Sequence, residues 1–133
     1  MLIYCDSVIL IYYLDHTGPL QLRAGNRLAA LHAAGDYIAV SDLVRMECRV
    51  VPTRAGDAVR LALFDNFFAQ PDVRHVPLSA TVFDRATRIR AHQGFKTIDS
   101  INLAAATENG CGAFLTNDAQ LTRFTDLPVE LLP

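Results

Sequence analysis

Short apolar runs separated by longer stretches of helical periodicity set the pattern of this chain. Leu2 to Cys5 is an apolar run of strand length, and Tyr37 to Val40, Val73 to Leu78, Ala113 to Thr116 and Val129 to Leu132 repeat the pattern. Between them lie the helical segments. Val8 to Leu14 is predicted as a first helix, although Ile9, Ile11 and Tyr12 individually favour strand. After a loop at Asp15 to Pro19, the apolar positions Leu20, Ala24, Leu28 and Leu31 mark a helix over Leu20 to Ala34 that ends at Gly35. Ser41 is placed to cap a helix through Val50, with Pro52 as its stop.

A stripe at Val59, Leu63 and Phe67 predicts a helix from Ala55 to Ala69, closing before Pro71. Ser79 opens a helix to Gln93, with Gly94 just past its end, and Ile98 to Asn109 forms another, closed by Gly110. A helical turn spans Ala119 to Phe124. Strands of this length alternating with helices imply a mostly parallel five-stranded sheet covered on both faces, an α/β three-layer sandwich. The chain shows no composition break, repeat or low-complexity segment, so residues 1–133 are expected to form one domain.

Composition narrows the function classes. At 51% hydrophobic residues the chain can fill a core without disulfides or a structural metal. A formal net charge of -2 argues against a general polyanion binder, while leaving room for a local basic patch. Lys96 is the only lysine among the basic residues. Cys5, Cys48 and Cys111 form no C-x-x-C pair and are expected to be reduced packing residues, as in the cytoplasm. No apolar run is long enough to span a membrane, and a basic leader with a cleavage site is missing, so neither membrane insertion nor secretion is expected.

The chemistry sits in four acids. Asp6 interrupts an apolar stretch directly after the first strand, where a buried carboxylate must be paired, hydrogen-bonded, metal-bound or neutral. Asp118 follows the fourth strand across Thr116-Asn117. Glu47 lies in the helix after the second strand, among Val44, Met46, Cys48, Val50 and Val51, which predict a buried setting. Parallel strands bring their carboxyl ends to one edge of the sheet, where open α/β folds place ligands, so these three acids converge. Asp99, in the first turn of its helix, is permitted there but not required. Each also has a plainer role: Asp99 as an acid favoured by the helix dipole, Asp118 as a turn residue or N-cap.

Carboxylates drawn within about 4 Å repel by about 4 kcal/mol at an effective dielectric near 20. A hard divalent cation, Mg²⁺ or Mn²⁺, removes that penalty, and few nitrogen or sulfur ligands are placed to compete. A metal so held suits in-line phosphodiester hydrolysis.

These motifs carry a resemblance. Ile3-Tyr4-Cys5-Asp6-Ser7, the Ser41 to Glu47 segment, Lys96-Thr97-Ile98-Asp99 and Leu115-Thr116-Asn117-Asp118 resemble the PIN domain, and more closely the VapC-type toxins of toxin–antitoxin pairs. The resemblance covers essentially the whole chain, in order. It implies a metal-dependent endoribonuclease that cuts structured RNA, commonly tRNA or rRNA. It further implies a homodimer and a cognate VapB-like antitoxin whose C-terminal segment enters the acidic groove. By the same analogy Asp6 and Asp99 are the most direct Mg²⁺ or Mn²⁺ ligands, with Asp118 and Glu47 binding through water or orienting it. Ser7, Thr116 and Asn117 fall where polar residues support the ligands. Val8 stands where relatives often carry Asn or Ser, and cannot offer the polar contact placed there. Ser100 stands where Ala is usual.

Other residues carry weaker signals. Arg45 and Arg49 flank Glu47, and Lys96 precedes Asp99, so each is a candidate RNA-phosphate contact or a local charge balance. Arg85, Arg88 and Arg90 read first as a solvated helix face. His16, His32, His75 and His92 show no paired ligand spacing. Tyr12 and Tyr13 are expected in the core or at a dimer interface, and Phe64, Phe67 and Phe68 in the core. The alternative function is an acidic, metal-holding module that binds RNA or protein without cutting. A phosphoacceptor signalling domain also uses strand-end acids, but it needs a late strand-end lysine, and none lies beyond Lys96.

Overall fold

The computed structural model describes residues 1–133. Five strands, β1 (Leu2–Cys5), β2 (Tyr37–Val40), β3 (Arg74–His75), β4 (Ala113–Thr116) and β5 (Val129–Leu131), form one parallel sheet in the order β3-β2-β1-β4-β5. The central strands are apolar on both faces because both are covered: Ile3, Tyr4 and Cys5 on β1 and all of β4 are buried. The Tyr4 ring stacks on Phe114 of the neighbouring strand, with centroids 5.3 Å apart.

The helices are α1 (Ser7–Asp15), α2 (Pro19–Ala33), α3 (Asp42–Ala55), α4 (Ala58–Phe68), α5 (Ala80–Gln93) and α6 (Thr97–Glu108), followed by a 3₁₀ turn at Ala119–Arg123. Helices α1 to α4 pack among themselves, and α5 packs against α6. The chain steps outward from β1 to β2 and β3, then crosses back to β4 and β5 on the other side. Right-handed crossovers therefore lay the two helix groups on opposite faces. The point of reversal lies between β1 and β4, the crevice where α/β sheets bind ligands.

Several expectations need correction. Pro52 does not stop its helix. It is buried inside α3, which continues to Ala55 and ends at Gly56 with φ 63°. The Gly56 amide donates to Thr53 O and the Asp57 amide to Pro52 O, a closure that requires a left-handed residue. Helix α4 consequently starts at Ala58, with the Asp57 carboxylate accepting from the Arg60 amide. Phe64, Phe67 and Phe68 are buried as expected, whereas Val59 is 75% and Leu63 47% exposed, so of the expected stripe only Phe67 faces the core.

The third strand shrinks to Arg74–His75 at the sheet edge, because Pro77 interrupts the backbone donors soon after. Asp15 closes α1 rather than opening a loop, and Pro19 takes the first turn of α2, where its missing N–H costs nothing. Cys5, Cys48 and Cys111 are buried free thiols. Burial pushes the first two up to about 12 and Cys111 to about 11, as expected of packing residues rather than nucleophiles.

Candidate functional site

An open cavity of about 470 Å³ lies at the carboxyl ends of β1 and β4, lined by Asp6, Glu47, Asp99 and Asp118 together with Ser7, Val8, Tyr12 and Asn117. Each acid arrives from a different element. Asp6 is the residue between β1 and α1, and its Oδ1 accepts from the Ser7 amide at 2.8 Å as an N-cap. Its Oδ2 accepts from Thr116 Oγ1 at 2.8 Å. Asp118 begins the 3₁₀ turn after β4, with Oδ1 accepting from the Gln120 amide at 3.0 Å. Glu47 projects from α3 and Asp99 from the first turn of α6.

Thr116 joins two of these acids. Its buried hydroxyl donates to Asp6 and accepts from the Asp118 backbone amide at 3.1 Å. Glu47 meets a longer contact, Asn102 Nδ2 at 3.4 Å from Oε1. Asn117 donates from Nδ2 to the Tyr12 hydroxyl at 3.3 Å, and the exposed His16 packs edge-on against the Tyr12 ring.

Crowded acids resist ionisation. Burial is the main force raising the Asp6 carboxyl; the Thr116 and Ser7 hydrogen bonds oppose it, and the Asp118 charge adds to it. Burial, then the Asp6 charge, pushes Glu47 up to about 7, against the Asn102 and Ser7 hydrogen bonds and with a further push from Asp99. Asp99 is raised by burial first and then by Asp6 and Asp118, while Lys96 lowers it. The structure therefore brings together all four sequence-predicted acids, and Asp6, Glu47 and Asp99 are each raised by the charge of at least one other.

The donor set fits a hard divalent cation: the wall offers carboxylate, hydroxyl and amide oxygens and no histidine or cysteine. The acids do not stand as a ready three-ligand cluster, since Asp6 and Asp118 are turned onto their own N-cap amides. An ion that keeps several waters and binds one or two carboxylates directly suits such spacing.

The proposed basic contacts separate. Arg45 and Arg49 reach Asp65 on α4, at 3.6 and 2.9 Å, and line a different groove of α3. Only Lys96, exposed before α6, acts on the acidic cavity. Arg85 is held by Glu108 and Asp126, and Arg90 donates to Phe95 O, so these serve packing. Val44 and Cys48 bury one side of the Glu47 helix as expected, while Met46, Val50 and Val51 are exposed. Tyr12, expected in the core or an interface, forms part of the cavity wall.

Sequence reasoning missed Asn102, Tyr4 and Ser41 as members of the site. Ser41 occupies the N-cap position of α3 but makes no capping bond, because its hydroxyl lies 2.8 Å from Tyr4 Oη. The available signal was a buried-type helix carrying an amide three residues after Asp99.

This arrangement of strands, crevice and acids matches a known family: the PIN domain pattern fits residues 3–127. The chain belongs to the PIN domain family. No curated protein matches this PIN domain by sequence. Among solved structures it is similar to VapBC2 from Rickettsia felis, bound there to a promoter DNA fragment, with a TM-score of 0.83 at 18% identity over 100% of both chains. It is also similar to Mycobacterium tuberculosis VapC20, a Sarcin-Ricin loop cleaving toxin, with a TM-score of 0.75 at 14% identity over 95% of this chain and 98% of that one. DNA-bound VapBC from Salmonella typhimurium gives 0.74 at 16% identity over 100% of both. At such identities these likenesses describe the fold.

Proposed function

We propose that this PIN domain is a metal-dependent endoribonuclease, the toxin of a type II toxin–antitoxin pair, which hydrolyses phosphodiester bonds in structured RNA such as tRNA or rRNA. The observation that carries it is the convergence of Asp6, Glu47, Asp99 and Asp118 on one open cavity at the reversal point of the sheet. Asp6 and Asp99 hold Mg²⁺ or Mn²⁺ most directly, with Asp118 and Glu47 completing its shell or orienting water. A bound divalent ion supplies a water nucleophile at neutral pH and offsets charge on the phosphoryl oxygens. Ser7 and Thr116 fix the Asp6 carboxylate, which keeps a ligand oriented without neutralising it. Lys96 meets RNA phosphate at the cavity edge, and Arg45 and Arg49 extend the footprint along α3.

The partners that accompany this reading are a VapB-like antitoxin and a second copy of the chain, acting in the cytoplasm. VapBC assemblies among the similar folds support the antitoxin. No helix is long and apolar enough to cross a membrane.

The test is cleavage of a structured RNA pool by purified protein in Mn²⁺. Asp6→Ala and Asp99→Ala each abolish cleavage while leaving the circular dichroism spectrum unchanged. Undiminished cutting by Asp6→Ala overturns the assignment. A second reading, a non-cleaving RNA-binding module, is favoured by Val8, whose apolar side chain stands in the cavity wall. Persistent RNA binding without cleavage in single-turnover assays selects it.

A further inference from the structure

Of the four acids, Glu47 has the longest side chain to fix and accepts no backbone amide to fix it. Asp6 and Asp118 are short side chains tied to N-cap amides, and Asp99 is a short side chain in the first turn of α6. Glu47 is longer and sits mid-helix on α3, where backbone donors are already used. Its orientation therefore depends on an outside group.

Asn102 supplies the larger of two such contacts, the Ser7 side chain adding a lesser hydrogen bond. Asn102 is 1% exposed and lies three residues beyond Asp99, on the same face of α6. Its Oδ1 accepts from the Tyr4 hydroxyl at 2.7 Å, and its Nδ2 donates to Glu47 Oε1. An amide has one accepting and one donating end, so the Tyr4 bond decides which end faces Glu47. Because the Tyr4 proton goes to Asn102, the Ser41 hydroxyl must donate to Tyr4 Oη. The chain of bonds then has a single direction, from Ser41 through Tyr4 to Asn102, and Asn102 presents its NH₂ to the carboxylate. This also explains why Ser41, at an N-cap position, does not cap its helix.

We propose that Asn102 is a positioning residue for Glu47, holding Oε1 and so orienting the carboxylate in the cavity shared with Asp6, Asp99 and Asp118. The proposal rests on the hydrolytic metal-site reading of that cavity. A neutral amide suits this position, because a lysine or arginine would cancel the charge the ion needs. An apolar residue would release Glu47 and strand the Tyr4 hydroxyl.

A double-mutant cycle tests it, with two readouts: Mn²⁺ affinity followed by electron paramagnetic resonance, and RNA cleavage. Asn102→Leu weakens Mn²⁺ binding and lowers kcat, each by about tenfold, with KM for RNA little changed. Glu47→Gln does the same alone, and adding Asn102→Leu to it produces no further loss. Additive losses mean that Asn102 acts on the fold and not through Glu47, and overturn the proposal. Asn102→Gln, which keeps a neutral amide with one accepting and one donating end, restores most of the Mn²⁺ affinity. This variant also decides the matter if Asn102→Leu does not fold: Mn²⁺ affinity that falls as far as in Glu47→Gln overturns the proposal. In the metal-free protein, Glu47→Gln shifts the Asn102 side-chain amide resonances, and unmoved resonances count against the contact. Should the unmutated chain cut no RNA, the nuclease reading fails, while the Mn²⁺ cycle still judges the positioning role.

Discussion

Thr116 shows how one hydroxyl can organise two charges. It is fully buried between β4 and the acidic crevice, giving its proton to Asp6 Oδ2 and accepting the Asp118 amide. Valine has the same shape and neither capacity. Thr116→Val therefore leaves an acceptor and a donor without partners and frees the Asp6 carboxylate to rotate. We expect cleavage to fall about tenfold in Mn²⁺, with Thr116→Ser close to the unmutated rate. Rates for Thr116→Val within about twofold of the parent would show that Asp6 needs no such anchor. The acids themselves were legible in the sequence because a carboxylate beside apolar strand residues is costly and stands out. Asn102 and Tyr4 were not, since an amide in an alanine-rich helix and a tyrosine in a core strand look like ordinary packing until their distances are known.

Among the elements, the turn between α3 and α4 illustrates where local signals compete. Proline was the visible breaker, yet Pro52 is buried within α3 and the chain turns at Gly56. A proline near the end of a helix removes one backbone bond, and burying its ring against the core offsets part of that loss. Gly56 is the residue the turn cannot replace, because its φ of 63° belongs to the left-handed region. A Cβ there would meet nothing within 4 Å, so the cost of Gly56→Ala is that of the backbone alone. It should destabilise the protein by about 1 kcal/mol, seen as a lower urea midpoint at unchanged m value. Strand starts and the parallel sheet followed from apolar runs, which depend on burial on both faces. On α4 the three phenylalanines were legible as core, but Val59 and Leu63 were not legible as exposed, because they share a helical stripe with the buried Phe67.

At the scale of the whole molecule, the acidic crevice ties stability to pH. Asp6, Glu47 and Asp99 all hold protons more tightly in the folded chain than in the unfolded one. That contribution is complete below the ordinary carboxylate range and is lost as pH rises, ending for Glu47 around its raised value of about 7. The metal-free protein should accordingly melt at a lower temperature at about pH 8 than at about pH 5. Mn²⁺ should raise the melting temperature, and by more at the higher pH, where the acids are ionised and the ion is bound. Calorimetry across that range checks both signs, and a flat or rising metal-free profile would contradict the crowding of the acids. The order β3-β2-β1-β4-β5 carries one more consequence, in time rather than space. The Thr116 to Asp6 bond spans 110 residues, so the first strand waits for nearly the whole chain before its carboxylate gains its anchor. A ribosome that has completed α6 has joined three of the acids into the chain, with no crevice yet to hold them. Pairing of β4 with β1 therefore has to follow synthesis of β4, and only then does Asp6 gain its Thr116 partner.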